Sequence, residues 1–305
     1  MKPQHNWMRR LLALTSLLLV CIVLFASCSL GSSQSTEPSH PNETSTLTDK
    51  ATGENTTDSS KESTSDLEKD NNFEENPLQL DFYLQDNDTY AVAVGNATEL
   101  SSIEIPKTFQ GKKVAAILDK GFYSCANLKS IIIPDTITKI GNCAFSRCFN
   151  LTNITIPNSV TTLGDNAFSS CGSLNSVTIP DGVTSIGHDA FNGCTSLTSV
   201  TIGSGVTNIG IQAFAGCENL STINLPDNLL SIGSGAFREC AMTNVTIPIT
   251  VVDLGNQAFV CCPNLTNAQY EGTVQQWNSV ANGKEVFFLV PATKIVCSNG
   301  TVPLS

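Results

Sequence analysis

Basic residues are scarce in this chain. Its 305 residues carry 16 Lys+Arg and 3 His against 27 Asp+Glu, a formal net charge of −11. Only ten of the bases fall within residues 78–305, too thinly spread to displace phosphate counterions, which excludes nucleic-acid binding as a function. The shortage of histidine excludes a second class. His5 and His40 lie in the amino-terminal quarter of the chain and His188 stands alone, so a Ser-His-Asp or Cys-His arrangement has no base to work with. No Cys-x-x-Cys occurs among the 12 cysteines and Cys261-Cys262 are adjacent, which argues against a metal site. Carboxylates such as Asp165, Asp181, Asp189 and Asp227 sit in turn positions, where they cap backbone groups rather than pair for acid–base work. Gly203-Ser204-Gly205 lacks the spacing of a nucleotide loop. The expectation is a protein without enzymatic activity, cofactor or metal.

A spanning helix needs about 20 apolar residues, and the longest apolar run, Leu11–Phe25, has fifteen. Preceded by Lys2, Arg9 and Arg10, it has the charge, length and flanks of a secretory signal. The run ends Leu24-Phe25-Ala26-Ser27-Cys28, which resembles a bacterial lipobox. That resemblance implies cleavage after residue 27 and acylation of Cys28 as a membrane anchor. Residues 28–77 then form a tether. Eighteen Ser/Thr and a net charge of −8 over residues 29–77, with almost no large apolar side chains, leave nothing to bury against the entropy of ordering.

The remainder repeats. Ala144-Phe145, Ala167-Phe168, Ala190-Phe191, Ala213-Phe214 and Ala236-Phe237 recur every 23 residues, Ala258-Phe259 follows after 22, and Gly121-Phe122 is an imperfect first member. Three residues past each Phe comes Cys125, Cys148, Cys171, Cys194, Cys217, Cys240 or Cys262. Leu128, Leu151, Leu174, Leu197, Leu220 and Leu265 lie three further on, while Met242 arrives one residue early because the sixth unit is a residue short. Strand-like triplets such as Ile154-Thr155-Ile156 and Val177-Thr178-Ile179 precede Pro157 and Pro180, with Gly203 in the proline's place once. Each unit closes on Ile-Gly or Leu-Gly.

One such unit cannot bury its own apolar face, and stacking units makes a continuous core. The alternation in Leu-x-x-Ile-x-Ile predicts one strand per coil in a parallel sheet, with coils ~4.8 Å apart. Proline lacks the N–H to continue the ladder, so the turn at Gly203 is expected to form by other means. The recurrent glycine needs either φ > 0 or a close backbone approach. Gly-x-x-Ala-Phe-x-x-Cys is compatible with a short helical turn on the opposite side.

The consensus Ile-Gly-x-x-Ala-Phe-x-x-Cys-x-x-Leu-x-x-Ile-x-Ile-Pro closely resembles the BspA-like leucine-rich-repeat family of bacterial surface proteins. The likeness covers residues 90–272, and Ile103-Glu104-Ile105-Pro106 and Gln276-Trp277 resemble the family's flanking segments. It implies a leucine-rich-repeat solenoid, right-handed, with one parallel β-sheet face and short helical turns or irregular structure on the other. A capping repeat is expected over 78–116, repeats over 117–272 and a carboxy-terminal cap over 273–305, where Trp277 sits on a short amphipathic helix. The family implies adhesion to host matrix or other cells; an envelope scaffold binding components of its own cell is the alternative.

In-register stacking places the seven column cysteines with parallel Cβ vectors, so they are expected as reduced, buried fillers rather than disulfides. The phenylalanine column is core. Function is left to the sheet face. There Ile132, Thr155, Thr178, Thr201, Asn224, Thr246 and Gln269 form one outward column, and Ser130, Asn153, Ser176, Ser199, Thr222, Asn244 and Asn267 form a second. These polar, uncharged columns are either plain solvent surface or an extended contact surface for a protein or surface-glycan partner.

Overall fold

The computed structural model describes residues 69–70 and 79–304, all within one compact unit spanning 67–305. The export signal, the acylation site Cys28 and nearly all of the tether lie outside the described residues. Lys69–Asp70, assigned to the tether from composition, form a short strand, β1, at the start of the folded unit. It pairs antiparallel with β2 (Asp81–Leu84), which pairs in turn with β3 (Tyr90–Ala93).

The Leu-x-x-Ile-x-Ile segments are strands because their buried and exposed positions alternate, as in the exposed-buried-exposed-buried pattern of Ser176–Ile179. Nine of them stack in parallel: β4 (Ser102–Glu104), β7 (Ser130–Ile132), β9 (Asn153–Ile154), β11 (Ser176–Ile179), β13 (Ser199–Ile202), β15 (Thr222–Ile223), β17 (Asn244–Ile247), β19 (Asn267–Tyr270) and β20 (Lys294–Cys297). Hydrogen bonding divides this face into three sheets, with breaks between β9 and β11 and between β15 and β17. An antiparallel strand, β21 (Gly300–Pro303), covers the last edge. The carbonyls of Pro134, Pro157, Pro180, Pro226 and Pro248 each accept a turn bond from the residue three ahead, as in Val183 N–H to Pro180 O at 3.1 Å. Gly203 makes that same turn, with Val206 N–H at 3.2 Å, so the expected departure there does not occur. Only the carbonyl is needed.

A second parallel ladder runs through the closing dipeptides, a feature absent from the sequence-based expectation of one sheet face. It continues from β3 through β6 (Lys112–Ile117) to β8 (Lys139–Ile140), β10 (Thr162–Leu163), β12 (Ser185–Ile186), β14 (Asn208–Ile209), β16 (Ser231–Ile232) and β18 (Asp253–Leu254). A short strand, β5 (Thr108–Phe109), pairs with β6 outside this path. The glycine after each dipeptide serves close approach, not a left-handed backbone. A Cβ on Gly210 would sit 2.7 Å from Gly187 C and 2.7 Å from His188 N, both backbone atoms of the preceding coil. Gly210→Ala is therefore expected to cost about 3 kcal/mol, at the upper end of overpacking penalties, read as a lowered midpoint in urea unfolding. An unchanged midpoint would mean that neighbouring coils can slide apart without penalty.

The Gly-x-x-Ala-Phe-x-x-Cys segment is not a helical turn. Two residues in each coil take the left-handed conformation, as at Cys143 (φ 54°) and Arg147 (φ 63°), and again at Asp189 and Gly193. Intercoil bonding explains the departure. Cys143, Phe145 and Arg147 donate their N–H groups to Asp165, Ala167 and Ser169 of the next coil at 2.7–2.8 Å, while Ser146 and Cys148 close turns onto Cys143 and Phe145. A helix commits every amide to its own axis, so it could not make this ladder. Left-handed residues cost about 1–2 kcal/mol where they are not glycine, and the ladder offsets that.

Phe122, Phe145, Phe168, Phe191, Phe214, Phe237 and Phe259 are fully buried and stack with ring centroids 5.1–5.5 Å apart. Phe287 adds an eighth ring, 5.1 Å from Phe259. It sits in a disguised final coil, since Phe259 N–H and Cys261 N–H donate to Val286 O and Phe288 O just as earlier coils bond forward. Helix α1 (Val274–Ala281) starts at a capping box. Thr273 Oγ1 accepts from Gln276 N–H, and Gln276 Oε1 accepts from Thr273 N–H. The helix lays Trp277 against Tyr270 and Phe287, closing the core.

Candidate binding face

Period-two geometry decides what the first parallel face presents. All seven members of the column Ile132, Thr155, Thr178, Thr201, Asn224, Thr246 and Gln269 are exposed, as are Ser130, Asn153, Ser176, Ser199, Thr222, Asn244 and Asn267. Their register is direct where strands pair: Ser176, Ser199 and Thr222 are aligned, as are Thr178 with Thr201, Asn244 with Asn267 and Thr246 with Gln269. The columns also run further than the repeat pattern indicates. Glu104 aligns with Ile132 at one end and Val296 with Gln269 at the other. Between Glu104 and Lys294 these columns carry no ionisable side chain, so the field over the face comes from its borders.

At one of the two breaks in the face a unit is short. Cys240 and Met242 are two residues apart where other units have three, and β17 is not hydrogen-bonded to β15; β9 and β11 part in the same way between full-length units. A cleft of about 180 Å³ opens between β15 and β17, floored by Ile223, Leu225 and Pro248. Asn224, Asn244 and Thr246 border it from the face, and Asp227 and Glu271 border it from the turns. Ile223 and Leu225 are half-buried, while their counterparts Val177 and Ile179 are buried. The short unit was visible in the sequence. The opening beside it was not.

The cysteine column lies inside the coils, away from this face. Cys148, Cys171, Cys194, Cys217, Cys240 and Cys262 each donate S–H to a Phe carbonyl of the preceding coil at 3.0–3.2 Å. All seven column members are free thiols and buried. Burial pushes the thiols of Cys171, Cys217 and Cys262 up to about 12 and those of Cys194 and Cys240 well above their ordinary value. A neutral thiol fits a small apolar site and also satisfies a carbonyl, a pairing that spacing alone does not reveal. Elsewhere, Lys107 bonds Asp135 at 2.8 Å and holds its carboxyl below the usual carboxylate range. His188 accepts from Ile211 N–H through Nδ1 at 2.9 Å, a bond between coils. Among the described residues no cluster of His, Cys, Asp and Glu could hold a metal ion.

The family described as BspA type leucine rich repeat region matches residues 92–210 and 184–284, in six copies. Among solved structures, a leucine-rich-repeat protein of T. pallidum is similar, with 24% identity, a TM-score of 0.57 and coverage of 70% of this chain and 97% of that one. A leucine-rich-repeat protein of Eubacterium ventriosum shares 23% identity at a TM-score of 0.50, covering 61% of this chain and 50% of that one. A leucine rich cell surface protein of Faecalibacterium prausnitzii shares 22% identity at a TM-score of 0.42, covering 78% and 97%. At such identities the likeness is one of fold. No curated protein matches the chain.

Proposed function

The chain belongs to the BspA-type leucine-rich-repeat family, and on that premise we propose that it is a non-enzymatic recognition protein, exported, anchored through acylated Cys28 and displayed to bind a partner protein in adhesion. The observation that carries this reading is the pair of aligned, exposed, uncharged polar columns running across the stacked coils. A repeat solenoid gains affinity by summing weak contacts along such a surface, so no single coil needs a deep pocket. The signal-like run before Cys28 and the acidic, Ser/Thr-rich tether after it supply export, anchoring and reach.

Protease shaving of intact cells tests display, with an inner-facing protein as the lysis control. Loss of the repeat domain from whole cells is expected. Full protection until the envelope is broken would turn the reading toward an internal scaffold. For binding, replacing Thr178 and Thr201 by Glu puts two adjacent charges mid-face, where like charges in register repel each other and any apolar or anionic partner. Attachment to a panel of matrix proteins is expected to fall about tenfold or more, with stability lowered by no more than about 1 kcal/mol, the cost of one like-charged cross-strand pair at exposed positions. Attachment at the parental level would remove this face from the mechanism.

A further inference from the structure

We propose that the cleft between β15 and β17 receives an arginine side chain projecting from an extended segment of a partner protein. The proposal rests on the recognition role above and names the chemistry of one contact within it.

Charge and shape point to the same occupant. Residues 148–283 carry eight carboxylates and one Lys/Arg, Arg238. That base is already bound to Glu239 at 2.8 Å, so the field over these coils is negative. At the cleft the carboxylate of Asp227 lacks the next-coil donor that one counterpart, Asp181, has. Asp181 accepts from Ser204 N–H at 2.7 Å and from Ser204 Oγ–H at 3.0 Å. In the following coil the equivalent residue is Ile249, which has no hydroxyl and whose amide lies 3.4 Å from Glu271 Oε2 instead. Asp227 Oδ1 and Oδ2 therefore have no protein donor among the described residues, at the rim of a concave site. Arginine matches each part of this arrangement. Its planar fork offers five donors to Asp227, Glu271 and the amide oxygen of Asn224, and its aliphatic stem can lie on Ile223 and Leu225. Lysine, a strongly hydrated point charge, satisfies fewer of these acceptors at once.

The test is amide NMR of the whole isotope-labelled chain titrated with N-acetyl-arginine amide, with N-acetyl-citrulline amide as the uncharged isostere and N-acetyl-lysine amide as the point-charge control. Arginine is expected to shift the side-chain amide signals of Asn224 and Asn244 and the backbone signal of Thr246, with citrulline about fivefold weaker and lysine intermediate. The shifts should disappear in an Asp227→Asn, Glu271→Gln double variant, be reduced in Glu271→Gln alone, and persist in a Thr178→Glu, Thr201→Glu variant. Absence of localised shifts, equal shifts with citrulline, or shifts surviving the double substitution in a folded variant would each overturn the proposal. The readout needs no natural ligand. If the matrix proteins fail to bind while arginine shifts the cleft, the adhesion reading falls and the cleft stands.

Discussion

Raising the pH above about 9 is expected to unfold the repeat domain, because the folded state holds protons on its column thiols that the unfolded state gives up. Cys171, Cys217 and Cys262 are pushed by burial from an ordinary value of 9.0 to about 12, and Cys194 and Cys240 rise well above 9.0. The unfolded chain therefore binds fewer protons than the folded one throughout this window, and stability falls as pH rises. The contribution is fully present below pH 9 and is lost progressively toward 12. Each thiol contributes a slope of about 1.4 kcal/mol per pH unit, so the three raised to about 12 remove on the order of 6 kcal/mol by about pH 10.5, a large share of the stability of a domain, and Cys194 and Cys240 add to it. Urea midpoints followed by circular dichroism from neutral pH upward would show the decline. Replacing Cys171, Cys194 and Cys217 by Ala should flatten it by more than half, at the cost of a lower starting stability. A slope that ignores those substitutions would place the alkaline sensitivity elsewhere, in Tyr or Lys.

The second large effect is expected at the middle of the ring stack. Phe191 is fully buried, with Phe168 and Phe214 each 5.3 Å away and within 9° of parallel. Phe191→Ala loses the transfer energy of the ring, leaves a cavity that rigid neighbours cannot fill, and deletes two aromatic contacts, for a total of about 4–5 kcal/mol. Phe287→Ala removes a ring with one stacked phenylalanine neighbour at the end of the column. It should cost less and act locally, since stability in a repeat array is a sum over neighbouring interfaces. Hydrogen exchange separates the two cases. The central variant should lose protection in coils on both sides, whereas the terminal variant should lose it only beyond Phe259. Equal, global losses would mean that the array unfolds as one unit.

What could be read from the sequence, and what could not, follows from how each feature is encoded. The strand Ser176-Val177-Thr178-Ile179 alternates strictly, so its buried and exposed sides and the candidate face were legible. The second ladder was not, because a strand of two residues such as Lys139-Ile140 is too short to alternate. The left-handed positions were hidden because no one residue type marks them: Asn166 and Asp189 favour φ > 0, but Cys143 and Gln212 in equivalent places do not. Phe287 escaped the period because it follows Phe259 by 28 residues and is preceded by Val instead of Ala. For the short sixth unit, the missing residue was countable. A bulge could have absorbed it, and only the three-dimensional arrangement shows that the strands part instead.

Heredity works on this molecule in two different step sizes. The ring contacts join counterparts one repeat apart, and the thiol and intercoil amide bonds recur at fixed offsets of about one repeat. Copying or losing a whole repeat in the gene would lengthen or shorten the rod while leaving every junction chemically familiar. Losing a single codon does something else: between Cys240 and Met242 the spacing is one residue short, and a cleft lies beside the unit that carries it. Unequal recombination could then move that cleft along the stack by whole repeats, so a lineage of such proteins could vary the number of its coils and the place of the cleft as separate traits.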